Sequence, residues 1–414
     1  VSPQTVSAVA AQVSPHVPTV VRVTWSAQPE PEALVEFTGP DGITRTTAPT
    51  DQGSALLLGL PPEALVTAIV VAGSVRSEPV SITTGSAPSD LVGFTVGGDL
   101  ATFEGHLVLA VLDRAAVVIV DAEGRPVWWH EGVAGFTATR GLASADGTGV
   151  WLNQEVLQDG DDADSHLLHV NWWGDVQTPV TWPRVKHDFL EHTDGTLAAL
   201  TDVLADPDEP TTRAGGLVER APDGTERVVW SIHDDPAVCD AQGELLSHPN
   251  ALDWDPASER YLISLHVRQC IVAIDRGTGQ LAWWLGGTGG DFLLSPDSTP
   301  FGPQHQFSLT PTGIVLFDNG APSDNASRAV AYDLDFDAWT ADETWSVPYE
   351  PAFYAAAYGD VEALGSGLTR VIWDGRGHVQ HLDEDGDAVW ELRTADGEGL
   401  AYGSSLTDLA SRSR

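Results

Sequence analysis

The sequence predicts an all-β chain, a two-sheet sandwich over residues 1–88 followed by a six-bladed β-propeller over residues 89–414 that carries the active site. Three observations lead there. Short alternating strands fill the first part, a tryptophan-ended unit recurs through the rest, and no long helical period intervenes.

The first element reads as "VPTVVRVTWSAQPEPEALVEFTGPDG" and "GSALLLGLPPEALVTAIVVAGSVRSEPVSITTG", period-2 strands punctuated by Gly, Pro and Asp turns. With Trp25 on one strand and "LLLGLPP" ahead of another, it resembles a fibronectin type III-like sandwich, and "TTGSAPSD" (83–90) reads as the linker. Spacing or docking is its expected role.

The second element rests on repetition. "DAEGRPVWW", "APDGTERVVW", "DRGTGQLAWW" and "DEDGDAVW" share an acidic or Gly turn and a strand ending in Trp, with weaker copies at 172–182 and 333–345. Trp128, Trp182, Trp230, Trp283, Trp345 and Trp390 recur about every 50 residues, the length of one four-stranded blade. Each Trp strand is expected outermost, packing blade on blade, and the next strand in sequence starts beside the central axis. The final stretch, "GEGLAYGSSLTDLASRSR", is expected to close the ring on the strand within "LVGFTVGGDLATFEGHLVLAVLD".

Repeated residues serve the repeat, so function is sought in those that break it. His187, His248 and His305 stand near the start of three successive innermost strands. "YLISLHVRQC" (261–270) reads as one strand with Ser264, His266, Arg268 and Cys270 on a common face, which brings His266 to the same mouth. His130, His166, His169, His192, His233, His378 and His381 read as surface or turn residues, and Tyr354, Tyr358 and Tyr402 as candidates to line the axis.

Charge narrows the partners. Sixty Asp and Glu against 20 Lys and Arg, with Lys186 the only lysine, give a net charge of -40. Such a field repels nucleic acid and anionic membrane surfaces and suits a salty habitat. No apolar run approaches the roughly 20 residues that cross a bilayer. Cys239 and Cys270 either pair or remain two buried thiols; pairing would suit a secreted or periplasmic protein.

"HDFLEHTDGTL", "HPNALDWDPASERYLIS", "IDRGTGQLAWWLGG" and "QHQFSLTPTGIVLFDNG" together resemble the bacterial arylsulfotransferase family. That resemblance implies a six-bladed propeller moving a sulfuryl group between small aromatic substrates, phenols, without a nucleotide donor or other cofactor. It implies His305 as nucleophile, with His187 and His248 on the sulfate or phenolic oxygens. Asn250, Gln304, Asp318, Asn319 and Tyr358, read from their places beside these histidines or on the axis, are substrate-binding candidates. Where the family carries an arginine for the sulfuryl oxygens, this chain has His266, with Arg268 two residues on as its substitute.

That departure supports a second reading. His187, His248, His266 and His305 would hold one Zn, Cu or Fe, with Asp188, Asn250, Gln304 and Asp318 orienting the rings. A third reading is a non-enzymatic binding propeller. "QDGDDADSH" (158–166), with Asp159, Asp161 and Asp164, is a candidate structural Ca²⁺ loop without the closing glutamate of the twelve-residue pattern.

Overall fold

The computed structural model describes residues 5–28, 32–89, 91, 93–133, 135–156, 165–182, 184–204, 213–239, 247–320, 326–395, 397–407 and 409–412. Among them every regular element is a strand or a one-turn 3-10 helix, and no helix is long and apolar enough to cross a membrane. The candidate Ca²⁺ carboxylates Asp159, Asp161 and Asp164 lie outside the described residues.

Two sheets form the N-terminal part. One joins Thr5–Val13, Val21–Gln28 and Ser54–Leu57; the other joins Thr44–Thr46, Leu34–Thr38, Leu65–Ala72 and Val75–Arg76, with Val80–Thr83 also on Leu65–Ala72. Alternation explains their packing: in "LVTAIVVA", Val66, Ala68, Val70 and Ala72 are buried and the residues between them face outward. They share one core with Val23, Trp25, Phe37 and Leu57. The sandwich is seated on its neighbour: Ser14 Oγ donates to the Trp173 carbonyl at 2.6 Å, Thr19 Oγ1 to that of Val127 at 2.7 Å, and the Arg22 guanidinium lies 3.9 Å above the Trp173 ring.

Among the described residues the remaining strands make six sheets, here called blades, in a propeller-like ring; their pairings are antiparallel except that Leu293–Leu294 runs parallel to Thr340–Pro348. Their inner strands, in ring order, are Leu400–Leu406, Gly141–Ala143, Val185–Glu191, Pro249–Asp255, Gln304–Leu309 and Asp360–Ala363, and each blade's inner region touches the next. Blade one takes its inner strand from the end of the chain, Leu400–Leu406 pairing with His106–Val111 as expected. A second lock was not anticipated: Phe94–Gly98, which precedes blade one, pairs outside Ala388–Thr394 of blade six. The two pairings tie the first and last blades to distant parts of the chain, and the edges that remain are short strands.

Tryptophan strands lie outermost in blades one to four. In blades five and six a fifth strand, Leu293–Leu294 or Phe94–Gly98, lies beyond them. Trp128, Trp230 and Trp390 are fully buried, and their indole N–H groups donate to the Trp172 carbonyl, the Asp235 carboxylate and the Ala122 carbonyl. Burial of so large a ring requires such a partner for its one polar atom.

The stretch 261–270 is not one strand. Arg260–Leu265 and Cys270–Asp275 are separate strands joined by a hairpin turn at His266 to Gln269, with Gln269 at φ +55° and Val267 exposed. His266 therefore sits on a turn, and the face it was expected to share with Arg268 does not exist. His192, His378 and His381, expected at the surface or in turns, are buried; His378 and His381 lie on a strand, whereas His192 begins a turn closed by Thr196.

Cys239 and Cys270 form a disulfide across 31 residues of sequence. It pins the His266 hairpin of blade four to the segment leaving blade three. A Cys239→Ser/Cys270→Ser variant is expected to lose about 3 kcal/mol of stability, from the loop-closure entropy returned to the unfolded chain, read as a lowered denaturant midpoint with a slope that does not fall, since the freed unfolded chain exposes more surface.

Candidate active site

Four of the candidate residues come together because the inner strands begin irregularly. His187, His248 and Tyr358 have φ of +57°, +50° and +52°. A side chain in this left-handed region costs about 1–3 kcal/mol and persists only where surrounding structure holds it. Register shifts lie between Val185 and Phe189, Pro249 and Ala251, and Gln304 and Phe307, so His187 and His305 sit on bulges that turn them out of the ladder. His266 reaches the group from its hairpin, where its N–H bonds the His248 carbonyl at 3.1 Å.

The result is a closed ring of five aromatic side chains. Neighbouring centroids lie 4.9 Å apart for His187–His248, 5.6 Å for His248–His266 and 4.7 Å for His266–His305. Tyr358 completes it at 6.0 Å from both His305 and His187. His305 and Tyr358 are buried, His187 and His266 half-buried, and His248 opens to solvent.

Hydrogen bonds decide the tautomers of two members. Asn319 Nδ2 donates to the Ala355 and Tyr358 carbonyls, each at 3.0 Å, so its Oδ1 must face His305 Nδ1 at 2.7 Å. His305 therefore carries its proton on Nδ1 and its lone pair on Nε2. His266 Nδ1 likewise donates to the Gln304 carbonyl at 3.0 Å. Asn250 Nδ2 donates to the same carbonyl, and Gln304 Nε2 ties the strand to Ser264 Oγ and the Cys270 carbonyl. Among the described residues His187 Nδ1 is buried with no hydrogen-bond partner, although its backbone N–H is held by Glu155 and its carbonyl by Thr139.

Burial keeps the ring uncharged. It lowers His305 to about 3, assisted by His266 and His248 and opposed by Asn319. His187 falls well below the usual imidazole value through burial and then His248, and His266 falls through burial against the Gln304 carbonyl. Burial, then Glu155 and Asp374, pushes Tyr358 up, so it remains a phenol that donates.

A second feature stands beside the ring and was largely unread in the sequence. Asp188, fully buried, accepts from the N–H groups of Leu252 and Phe189 at 2.9 Å, from Gln306 Nε2, and faces Arg140 Nε at 3.4 Å. Arg140 also donates to the Gly403 carbonyl, and Gly403 N–H donates to Asp360, which pairs with Arg370. This one network reaches the inner region of all six blades. Only Asp188 was singled out from the sequence; Arg140, Gln306, Asp360 and Arg370 carried no motif.

The sequence model of the family described as Arylsulfotransferase (ASST) matches residues 98–390. The chain belongs to the arylsulfotransferase family. Comparison with curated proteins finds no match. Among solved structures, a chain of a nidogen/laminin complex aligns at TM-score 0.49 with 11% identity, covering 73% of this chain and 99% of that one. A protein of unknown function from Bacteroides caccae aligns at 0.42 with 12% identity, covering 78% and 96%. Virginiamycin B lyase from Staphylococcus aureus aligns at 0.37 with 10% identity, covering 73% and 99%. Likeness this distant carries no functional argument.

For this arylsulfotransferase-family chain, two candidate residues stand away from the ring. Arg268 turns its guanidinium to the Pro236 and Val238 carbonyls, bracing the disulfide-linked segment instead of replacing the family's arginine. Asp318 accepts from Arg328 Nε and the Gly302 and Gly320 N–H groups, a loop brace. Asn250, Gln304 and Asn319 position the ring through the bonds above. Among the described residues no three His, Cys, Asp or Glu side chains are placed to hold one metal ion; neighbouring imidazoles are tilted by 50°, 56° and 58°.

Proposed function

We propose that this protein transfers a sulfuryl group from an aryl sulfate to a phenol through a sulfohistidine on His305. The observation that carries the reading is the Asn319–His305 bond, which leaves Nε2 as an uncharged nucleophile within a ring of four imidazoles. His305 Nε2 attacks sulfur and the bond from sulfur to the aryl oxygen breaks. The departing phenolate takes a proton from an imidazolium of the ring, with His187 and His248 on the sulfate or phenolic oxygens. In the second half the acceptor phenol's oxygen attacks sulfur, the Nε2–S bond breaks, and the phenol's proton returns to that imidazole. Tyr358 would donate to an oxygen of the transferring group.

In this reading residues 89–414 form a six-bladed propeller bearing the site, and residues 1–88 a fibronectin III-like spacer or docking module. The disulfide supports a secreted or periplasmic setting. Small aromatic molecules are the substrates; nucleic acid and membranes are poor partners for a charge of -40.

The test is exchange between an aryl sulfate and a second phenol with both concentrations varied. Parallel double-reciprocal lines, the signature of a two-step transfer, are expected; intersecting lines would point to direct transfer in a ternary complex.

The rate at saturating aryl sulfate should also stay level from pH 7 down to about 5, because His305 remains neutral far below the ordinary imidazole value of about 6.5. An acid limb near 6.5 would remove His305 as the titrating nucleophile. For stability the sign is adverse: a depressed imidazole contributes fully above about 6.5 and loses that contribution as pH falls toward 3.

A further inference from the structure

An aryl sulfate brings a negative charge to a site whose imidazoles are neutral. The permanent cations around it are engaged elsewhere. Lys186 Nζ lies 3.0 Å from Asp202, Arg140 faces Asp188, and Arg268 bonds backbone carbonyls. Nor can a neutral imidazole serve the departing phenolate as an acid, since only an imidazolium is acidic enough to give up a proton near neutrality. Both deficits are met by one proton.

We infer that the histidine ring takes up one proton together with its anionic substrate, and that His266 is the residue that holds it. The inference rests on the arylsulfotransferase reading above and concerns where that site obtains its charge. In the first half-reaction neutral enzyme, aryl sulfate anion and one proton yield the zwitterionic sulfohistidine and a neutral phenol. Charge and atoms balance without any other reactant.

Geometry singles out His266. Its Nδ1–H already donates to the Gln304 carbonyl, an acceptor that steadies an imidazolium, and Nε2 remains to accept the proton. The hairpin holding it is fixed by the disulfide at Cys270 and by Gln304 on Ser264 and Cys270. The alternatives are less suited. Among the described residues, His305 is enclosed and needs Nε2 for attack, His187 would bury a charged N–H without an acceptor, and the His248 ring has no acceptor comparable to the Gln304 carbonyl. His248 and His305 face His266 from the neighbouring segments, with the Lys186–Asp202 pair, His187, Tyr358 and Glu155 beyond them. A charge on His266 opposes a second charge on His248 or His305, whose rings are 5.6 and 4.7 Å away, so uptake stops at one.

Benzenesulfonate, whose carbon–sulfur bond prevents transfer, is the probe. Calorimetric titration in buffers of different ionisation enthalpy, between about pH 5.5 and about 8.5, should show close to one proton absorbed per ligand above pH 7, with Kd rising toward tenfold per pH unit. His266→Arg should abolish proton uptake and flatten the pH dependence of Kd, whereas His266→Asn should weaken binding at least tenfold at pH 6. His305→Ala should lose exchange yet keep proton-linked binding. Wild-type binding without proton uptake, or exchange without benzenesulfonate binding, overturns this inference and leaves the arylsulfotransferase reading standing. Absence of both binding and exchange removes both.

Discussion

His305→Ala is expected to lower aryl sulfate–phenol exchange by at least about 1,000-fold, the scale of losing a positioned nucleophile, while the fold survives. His305 occupies a bulge and touches the ladder little, so its truncation opens space at the ring without breaking a strand pair. The partner left behind, Asn319 Oδ1, loses one bond, but its Nδ2 bonds to Ala355 and Tyr358 remain. Asn319→Ala provides the contrast. It removes the group that fixes the tautomer, so a smaller loss in kcat with KM little changed is expected. Circular dichroism of both variants separates chemistry from unfolding. Retained exchange in His305→Ala would assign the nucleophile elsewhere.

Asp188→Ala should produce the largest loss of stability, about 3–5 kcal/mol, because it strands Arg140 beside the axis and deprives Leu252, Phe189 and Gln306 of their acceptor. Burial raises the Asp188 pKa and Arg140 opposes that rise, so the carboxylate depends on its partner as much as the partner depends on it. Asp188→Asn keeps the shape but not the charge and should fall between the wild type and alanine. Denaturant midpoints of the three proteins measure this. A loss under 1 kcal/mol for alanine would mean that water enters and replaces the carboxylate.

How much of this was legible in sequence follows from what repeats. Six tryptophans announced six blades because a similar packing demand recurs in each, although only in blades one to four is the tryptophan strand outermost. The second lock, Phe94–Gly98 on blade six, was invisible because pairing partners about 300 residues apart leave no local pattern. The hairpin at 266–269 escaped notice for another reason: "HVRQ" holds no Gly, Pro or Asn, and apolar alternation runs unbroken from Tyr261 to Val267. His187, His248 and His305 could be grouped by their place at strand starts, but not the positive φ that turns two of them inward, since histidine does not demand it. The axial network was the least readable part. Arg140, Asp188 and Asp360 come from different blades, and only folding makes them neighbours.

The central claim is that sulfur visits His305. Intact-protein and peptide mass spectrometry after mixing enzyme with an aryl sulfate and no acceptor tests it most directly. The account predicts one sulfuryl group per chain, released by added phenol, mapped to the peptide holding His305 and absent from His305→Ala. Turnover with no such adduct, or an adduct on another residue that persists in His305→Ala, would contradict it.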